Sequence, residues 1–172
     1  MSVILRDATP DDAPGIAAIW NPIIRDTAIT FWPTERSLPE ITQMIHDRQA
    51  AGHAFLVADD GRRIAGFATY AQFRGGAGYA HSMEHSIAIA ADLHGSGLGR
   101  RMMAALHDHA VARGHRVMVA GITGANQGSI DFHRRLGYVE NGRIPNAGFK
   151  FDRFHDLVLM SFDLATHATT NA

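Results

Sequence analysis

The segment from Glu84 to Met103 constrains the fold of this chain most strongly. An alternating apolar stretch, typical of a strand, runs into a turn where Gly95, Gly97 and Gly99 occupy every second position, and helical spacing follows. Glycines lack a Cβ, so backbone N–H groups can approach a ligand closely. The first turn of a helix adds unpaired donors and a partial positive charge. The segment therefore predicts an anion-binding turn between a strand and a helix, with the carboxylate of Glu84 upstream.

The glycine turn does not match the two common nucleotide-binding motifs. No Lys-Ser or Lys-Thr pair follows the second glycine, as a Walker P-loop requires. The glycines come after about the fourth predicted strand, whereas a dinucleotide-binding fold places them after the first. From the spacing alone, both a phosphate site and an ordinary packing turn remain open.

The wider pattern predicts one α/β domain over residues 1–164, followed by a polar tail, 165–172, that we expect to be disordered. Hairpins come early and strand–helix alternation comes late, so the sheet should be mixed. Strands are predicted over 2–6, 54–58, 63–71, 82–90, 117–122, 138–139 and 157–162. Helices are predicted from Thr9-Pro10 to a point near Pro22, and over 38–51, 97–113 and 126–135.

Composition excludes several classes of function. The chain has 172 residues, a net charge of −1 and no cysteine. Disulfides, thiolate catalysis and cysteine-ligated zinc are therefore excluded, and nothing indicates a nucleic-acid partner. No apolar run reaches the length of a membrane span, and the N-terminus lacks a signal-peptide layout. We expect a cytoplasmic protein with no membrane partner.

A zinc motif overlaps the same segment. His81, Glu84 and His85 spell H-x-x-E-H, a signature that needs both histidines on one face of a helix. The surrounding residues alternate as in a strand, which would separate the two histidines by roughly 13 Å. We therefore predict no zinc here and no metal elsewhere.

Several segments taken together resemble the GCN5-related N-acetyltransferase superfamily. They are the strand with Glu84, the turn Gly97-Leu98-Gly99-Arg100, a strand ending near Asn126, and the run from Ser129 to Tyr138. Within the superfamily, the phosphinothricin and methionine sulfoximine acetyltransferases are most similar. That similarity depends on Glu84-His85-Ser86-Ile87, Phe132-His133, and Gly148-Phe149-Lys150-Phe151 with Asp156 downstream.

The resemblance implies a mostly antiparallel sheet flanked by helices, with acetyl-CoA bound between splayed central strands. Backbone groups of the strand would pair with the pantetheine arm, and turn amides would hold the pyrophosphate. The superfamily usually has Gln or Arg three residues before the first glycine of the Gly-x-Gly turn, and this chain has His94 there. The implied cofactor-binding residues are Ile87, Ala88, Ile89, Gly95, Ser96, Gly97, Leu98, Gly99, Arg100, Asn126 and Ser129.

The resemblance also implies a catalytic and an acceptor site. Glu84 would act as the general base or bind the substrate ammonium, since an amine must lose a proton before it attacks a thioester. His133 would protonate the leaving thiolate or orient the cofactor sulfur. Arg74 would bind an acceptor carboxylate bidentately, and Lys150 would reach an acceptor, across a homodimer interface in one reading. The implied substrate-binding residues are Phe73, Arg74, Gly75, Glu84, His85, Ser86 and Lys150.

The implied activity is direct transfer of acetyl from acetyl-CoA to the amino group of a small amino-acid-like acceptor. Phosphinothricin and methionine sulfoximine or sulfone are the expected acceptors. A ternary complex is favoured because the chain has no cysteine for an acetyl-enzyme. Two alternatives stay open: acetylation of a protein or peptide amine, and non-catalytic sensing of acyl-CoA.

Overall fold

A computed structural model describes residues 3–167 and contains one seven-stranded sheet. The strand order is β1-β2-β3-β4-β5-β7-β6, and every neighbouring pair is antiparallel except β4–β5. The strands are β1 Ile4–Asp7, β2 Phe55–Asp59, β3 Ile64–Gln72, β4 Ser82–Ile89, β5 Val117–Thr123, β6 Val139–Lys150 and β7 Arg153–Asp163. The helices are α1 Ala13–Asp26, α2 Leu38–Ala50, α3 Leu98–Ala112 and α4 Gln127–Leu136.

Two helical layers cover the two faces of the sheet. Alternate residues of a strand point to opposite faces, and in β2 Phe55 and Val57 join one apolar cluster while Leu56 and Ala58 join the other. The first cluster contains buried residues of α1 and α2, and the second contains buried residues of α3 and α4. The elements of the predicted glycine turn therefore lie on the face opposite to α1 and α2.

The prediction of a mixed α/β fold with an antiparallel majority is confirmed. The largest error concerns the C-terminal hairpin, where β6 spans twelve residues and β7 begins at Arg153. β6 is the last strand of the sheet, mostly exposed, and contains Gly142 and Pro145. Proline is tolerated in an edge strand, so neither polarity nor Pro145 prevents strand pairing there.

Smaller differences lie at the N-terminal helix and at the tail. The residues after Thr9 form a 3-10 turn, Pro10–Asp12, that leads into α1, and α1 continues past Pro22 to Asp26. Leu164–Thr166 form a 3-10 turn at the start of the predicted tail; residues 168–172 lie outside the described part. No helix within residues 3–167 is long and apolar enough to cross a membrane.

Candidate active site

β4 and β5 separate after only three paired residues. Their parallel pairing runs from Ser82↔Val117 to Glu84↔Val119. Beyond that point β4 continues to Ile89, paired only with β3, and β5 continues to Thr123, paired only with β7. The facing edges therefore leave backbone donors and acceptors free, and an extended ligand can pair with such an edge as an added strand does.

A cavity of about 510 Å³ occupies the space where the strands separate. Its walls come from β4, β5, α1 and α4, and from the segment that connects α1 to α2. The lining residues are Trp20, Ile23, Ile29, Thr30, Phe31, Trp32, Phe67, Glu84, His85, Ser86, Ile87, Ala88, Ala120, Gly121, Ile122, Thr123, Asn126, Ser129, His133 and Leu157.

Glu84 lies at the point where the two strands part. Its Oε1 faces Gly121 of β5, and a Cβ added at Gly121 would lie 2.8 Å from that oxygen. The glycine therefore provides the space that the carboxylate occupies. Burial by the surrounding protein raises the pKa of the Glu84 carboxyl, although part of the side chain is exposed to the cleft. Within residues 3–167 no cation pairs with it, so the carboxylate can receive an ammonium.

The glycine turn follows β4 as predicted and leads into α3. Gly95 and Gly97 adopt positive φ angles of 79° and 85°, which favour glycine. Gly99 lets α3 approach its neighbours, since an added Cβ would lie 3.0 Å from Ile89 and 3.2 Å from the ring of Phe132. The amides of a first helical turn have no partners within the helix, so the turn can bind an anion. The atypical His94 bonds the carbonyl of Ile89 through Nε2 at 3.1 Å, which ties the turn to the end of β4.

His133 of α4 and His85 of β4 form a buried pair on the cavity wall. Their Nε2 atoms are 3.2 Å apart, and Nδ1 of His133 lies 2.7 Å from the carbonyl oxygen of Ser129. A carbonyl only accepts, so neutral His133 carries its proton on Nδ1 and accepts from Nε2–H of His85. The Nδ1 of His85 is then left without a partner among the described residues. Burial lowers the pKa of both rings, and the effect is larger for His85.

The structure brings eight of the predicted site residues into the cavity wall. The glycine turn follows β4 after a short 3-10 turn, Ala91–Leu93. Asn126 caps α4, and its Oδ1 accepts a hydrogen bond from the amide of Ser129. The eight lining residues are Glu84, His85, Ser86, Ile87, Ala88, Asn126, Ser129 and His133.

Four predicted acceptor residues lie elsewhere. Phe73, Arg74 and Gly75 do not line the cavity; the Arg74 side chain is exposed and lies over the Phe73 ring at 5.4 Å. Lys150 is buried, and its Nζ donates to the carbonyls of Ile24 and Thr30 at 2.5 and 2.9 Å. The ammonium predicted to reach an acceptor therefore binds backbone of its own chain.

Gly121 and Thr123 were not predicted as site residues, whereas Phe31 and Trp32 were considered as a possible apolar wall of the acceptor pocket, with core packing as the alternative. Thr123 donates from Oγ1 to the carbonyl of Ala28 at 2.5 Å. A glycine inside an apolar strand such as Val117–Ile122 is a signal of close approach by another group, and this signal could have pointed to Gly121.

The H-x-x-E-H run is not helical, because its residues from Ser82 to His85 lie in β4, as the strand prediction required. His81 lies just before β4 and bonds the carbonyl of Gly114, while His85 lies in β4 against His133. Within residues 3–167, no group of three or more His, Asp or Glu side chains is arranged to hold a metal ion.

Comparison with known proteins agrees with this geometry. The model of the acetyltransferase (GNAT) family matches residues 20–138. An L-methionine sulfoximine/L-methionine sulfone acetyltransferase from Pseudomonas aeruginosa is 38% identical over 165 residues, covering 95% of this chain and 96% of the relative. A phosphinothricin N-acetyltransferase from Alcaligenes faecalis is 32% identical over 172 residues, covering 97% and 84%. The structure of yncA from Salmonella typhimurium with its cofactor acetyl-CoA superposes with a TM-score of 0.91 and 31% identity, covering 100% and 99%. This chain belongs to the acetyltransferase (GNAT) family.

Proposed function

We propose that this protein transfers an acetyl group from acetyl-CoA to the α-amino group of a small amino-acid-like acceptor. Methionine sulfoximine, methionine sulfone and phosphinothricin are the candidate acceptors, because relatives that cover nearly the whole chain are named for them. The observation that supports the proposal most is the position of Glu84. Its unpaired carboxylate lies beside Gly121 where β4 and β5 part, at one end of the open cleft.

The cleft has the features that coenzyme A needs. The free edge of β4 from Ile87 to Ile89 can pair with an extended amide chain. Apart from the amides of Ser96 and Leu98, which already bond Leu93 and Ser96, the amides of residues 95–100 at the N-terminus of α3 can bind a pyrophosphate. Asn126 and Ser129 line the same cavity as Ile87 and Ala88. When bound, acetyl-CoA supplies the thioester that activates the acetyl group.

Glu84 is proposed as the general base. An amino acid enters as an ammonium, and a carboxylate with a raised pKa is better matched to accept its proton near neutral pH. The deprotonated amine can then attack the thioester carbonyl, and coenzyme A leaves as the thiolate. Because the chain has no cysteine for an acetyl-enzyme, we propose direct transfer in a ternary complex.

His133 is proposed to orient the reacting groups rather than to supply the proton for the thiolate. In the neutral pair both of its nitrogens are engaged, Nδ1 with Ser129 and Nε2 with His85. Only an imidazolium would have a proton to give, and burial disfavours that form. This choice selects the second of the two roles predicted for His133.

Release of free thiol from acetyl-CoA tests the function. The assay would use methionine sulfone, methionine sulfoximine, phosphinothricin, ordinary amino acids and short peptides as acceptors. We expect release with the small amino-acid analogues, with the acetylated product identified by mass spectrometry. Release only with peptides would favour a protein acetyltransferase, and tight acetyl-CoA binding without release for any acceptor would favour a sensor.

A homodimer and a cytoplasmic location are also proposed. The family resemblance implies the dimer, and the edge strand β6 and the adjoining turn offer a surface for it, with Val139, Ile144, Phe149 and Phe151 exposed. Light scattering coupled to size exclusion would measure the mass in solution. A monomer at micromolar concentration would contradict the dimer.

A further inference from the structure

Residues 27–32, which connect α1 to the loop before α2, form one side of the cavity without a backbone ladder of their own. We call them the wall segment. Ile29, Thr30, Phe31 and Trp32 all line the cavity, yet the segment contains neither helix nor strand. Its position must therefore depend on contacts from other elements.

Side chains of β5 and β6 provide those contacts. Thr123 donates to the carbonyl of Ala28 at 2.5 Å. Lys150 donates to the carbonyl of Thr30 at 2.9 Å and to that of Ile24, in the last turn of α1, at 2.5 Å. The last carbonyls of a helix lack partners within it and attract a cation. A single ammonium thus joins the end of α1 to the wall segment.

Phe31 lines the cavity and is itself held by contacts with β6 and β7. Its ring lies on Gly148 of β6, where an added Cβ would be 2.4 Å from the ring. The ring also stacks with His155 at a centroid distance of 5.9 Å. Gly148 and Lys150 are two residues apart on the same strand, so one strand fixes both the backbone and the aromatic side chain of the wall.

The wall segment closes the cavity from the side of α1, which we assign to the acceptor. α3, which follows the glycine turn, and α4, which Asn126 caps, pack on one face of the sheet, and α1 packs on the other. The wall segment follows α1, so it encloses the part of the cavity that the cofactor elements leave open.

We propose that Lys150 is a positioning residue that acts through the wall segment and thereby sets which acceptor side chains the enzyme accepts. This inference depends on the proposed acetyltransferase function. Lys150 is 6% exposed and already bonded twice within its own chain, so it holds the wall and does not touch the acceptor.

Lys150→Met tests the proposal because methionine keeps an unbranched side chain of similar size and removes the donors. Hydrogen bonds from a charged group are worth enough to change a binding constant by about tenfold or more. We expect the acceptor KM to rise by about tenfold and the preference between short and long acceptor side chains to weaken. The acetyl-CoA KM should stay near the wild-type value, because the two carbonyls that Lys150 bonds, those of Ile24 and Thr30, lie outside β4 and the glycine turn.

Two further variants complete the test. Lys150→Arg retains a cation and should recover part of the acceptor KM. Arg153 of β7 pairs with Lys150 of β6, but its side chain is exposed. Arg153→Met removes this exposed cation and should leave both KM values unchanged. Equal rises of the two KM values in Lys150→Met, together with a lower Tm, would mean general destabilisation and would overturn the proposal.

Hydrogen–deuterium exchange gives a readout that does not need activity. In Lys150→Met, deuterium uptake should increase in residues 27–32 and stay at the wild-type level in α2. Unchanged uptake in residues 27–32 would overturn the positioning role. If the wild-type protein acetylates no acceptor, the proposed function fails, and the exchange data still decide whether Lys150 holds the wall segment.

Discussion

Replacing Gly121 with alanine tests whether the position of the Glu84 carboxylate sets the reaction rate. The new Cβ would lie 2.8 Å from Oε1, whereas ordinary contacts begin at 3.4 Å, so the carboxylate must retreat by about 0.6 Å. A misplacement of about 1 Å in an active site can lower the rate by about a hundredfold. On a logarithmic scale, 0.6 Å therefore corresponds to a decrease of about 10- to 20-fold in kcat.

The assay is steady-state thiol release at saturating acetyl-CoA, accompanied by a thermal melt. The acetyl-CoA KM should stay near the wild-type value because Gly121 lies in β5, whereas the proposed pyrophosphate and pantetheine contacts lie in the glycine turn and β4. Gly142→Ala is a matched control, since a Cβ there would meet nothing within 4 Å and Gly142 lies in β6, which β7 separates from β5. A Gly121→Ala enzyme with the kcat of Gly142→Ala would refute the reasoning.

Three further predictions concern charge. The pKa of Glu84 is raised in the fold, so its contribution to stability is present at low pH and lost as pH rises through that raised value. Glu84→Gln should therefore raise Tm at pH 8 but not at pH 4. Equal changes of Tm at both pH values would contradict this prediction. Burial lowers the pKa of His107 to about 4, so the free energy of unfolding should fall as pH drops from roughly 6.5 toward that value. Denaturant melts of His107→Gln should show a smaller decrease of the free energy of unfolding over this pH range. A decrease equal to that of the wild type would argue against the prediction. Arg74→Ala should raise the acceptor KM more than the acetyl-CoA KM if the exposed loop carries the carboxylate clamp; equal effects in the kinetic assay would exclude that role.

The parts of the site that were predicted are those built by neighbouring residues. The segment from Glu84 to Met103 became a strand, a glycine turn and a helix because each step depends on local propensity and on glycine's conformational freedom. Asn126 likewise caps α4, as its sequence position predicts. The resemblance then assigned these elements to a cofactor.

The parts that were not predicted depend on contacts between distant residues. Lys150 and Ile24 are 126 positions apart, and Thr123 and Ala28 are 95 apart, so no periodicity relates them. The β6–β7 hairpin was predicted only at its ends, 138–139 and 157–162, because an exposed edge strand lacks the apolar alternation of a half-buried one. The role first assigned to Lys150 assumed a free ammonium, whereas burial against two carbonyls engages it.

The central claim is that Glu84 accepts the proton of the acceptor ammonium during acetyl transfer. The most direct measurement is the pH dependence of kcat/KM for the wild-type enzyme and for Glu84→Gln, with methionine sulfone and acetyl-CoA. We predict that the wild-type rate rises through an ionisation above the ordinary value for glutamate. Glu84→Gln should lose that ionisation and, as expected for removal of a general base, about 10²- to 10⁴-fold in rate. A Glu84→Gln enzyme with the wild-type rate and the wild-type pH profile would contradict the claim.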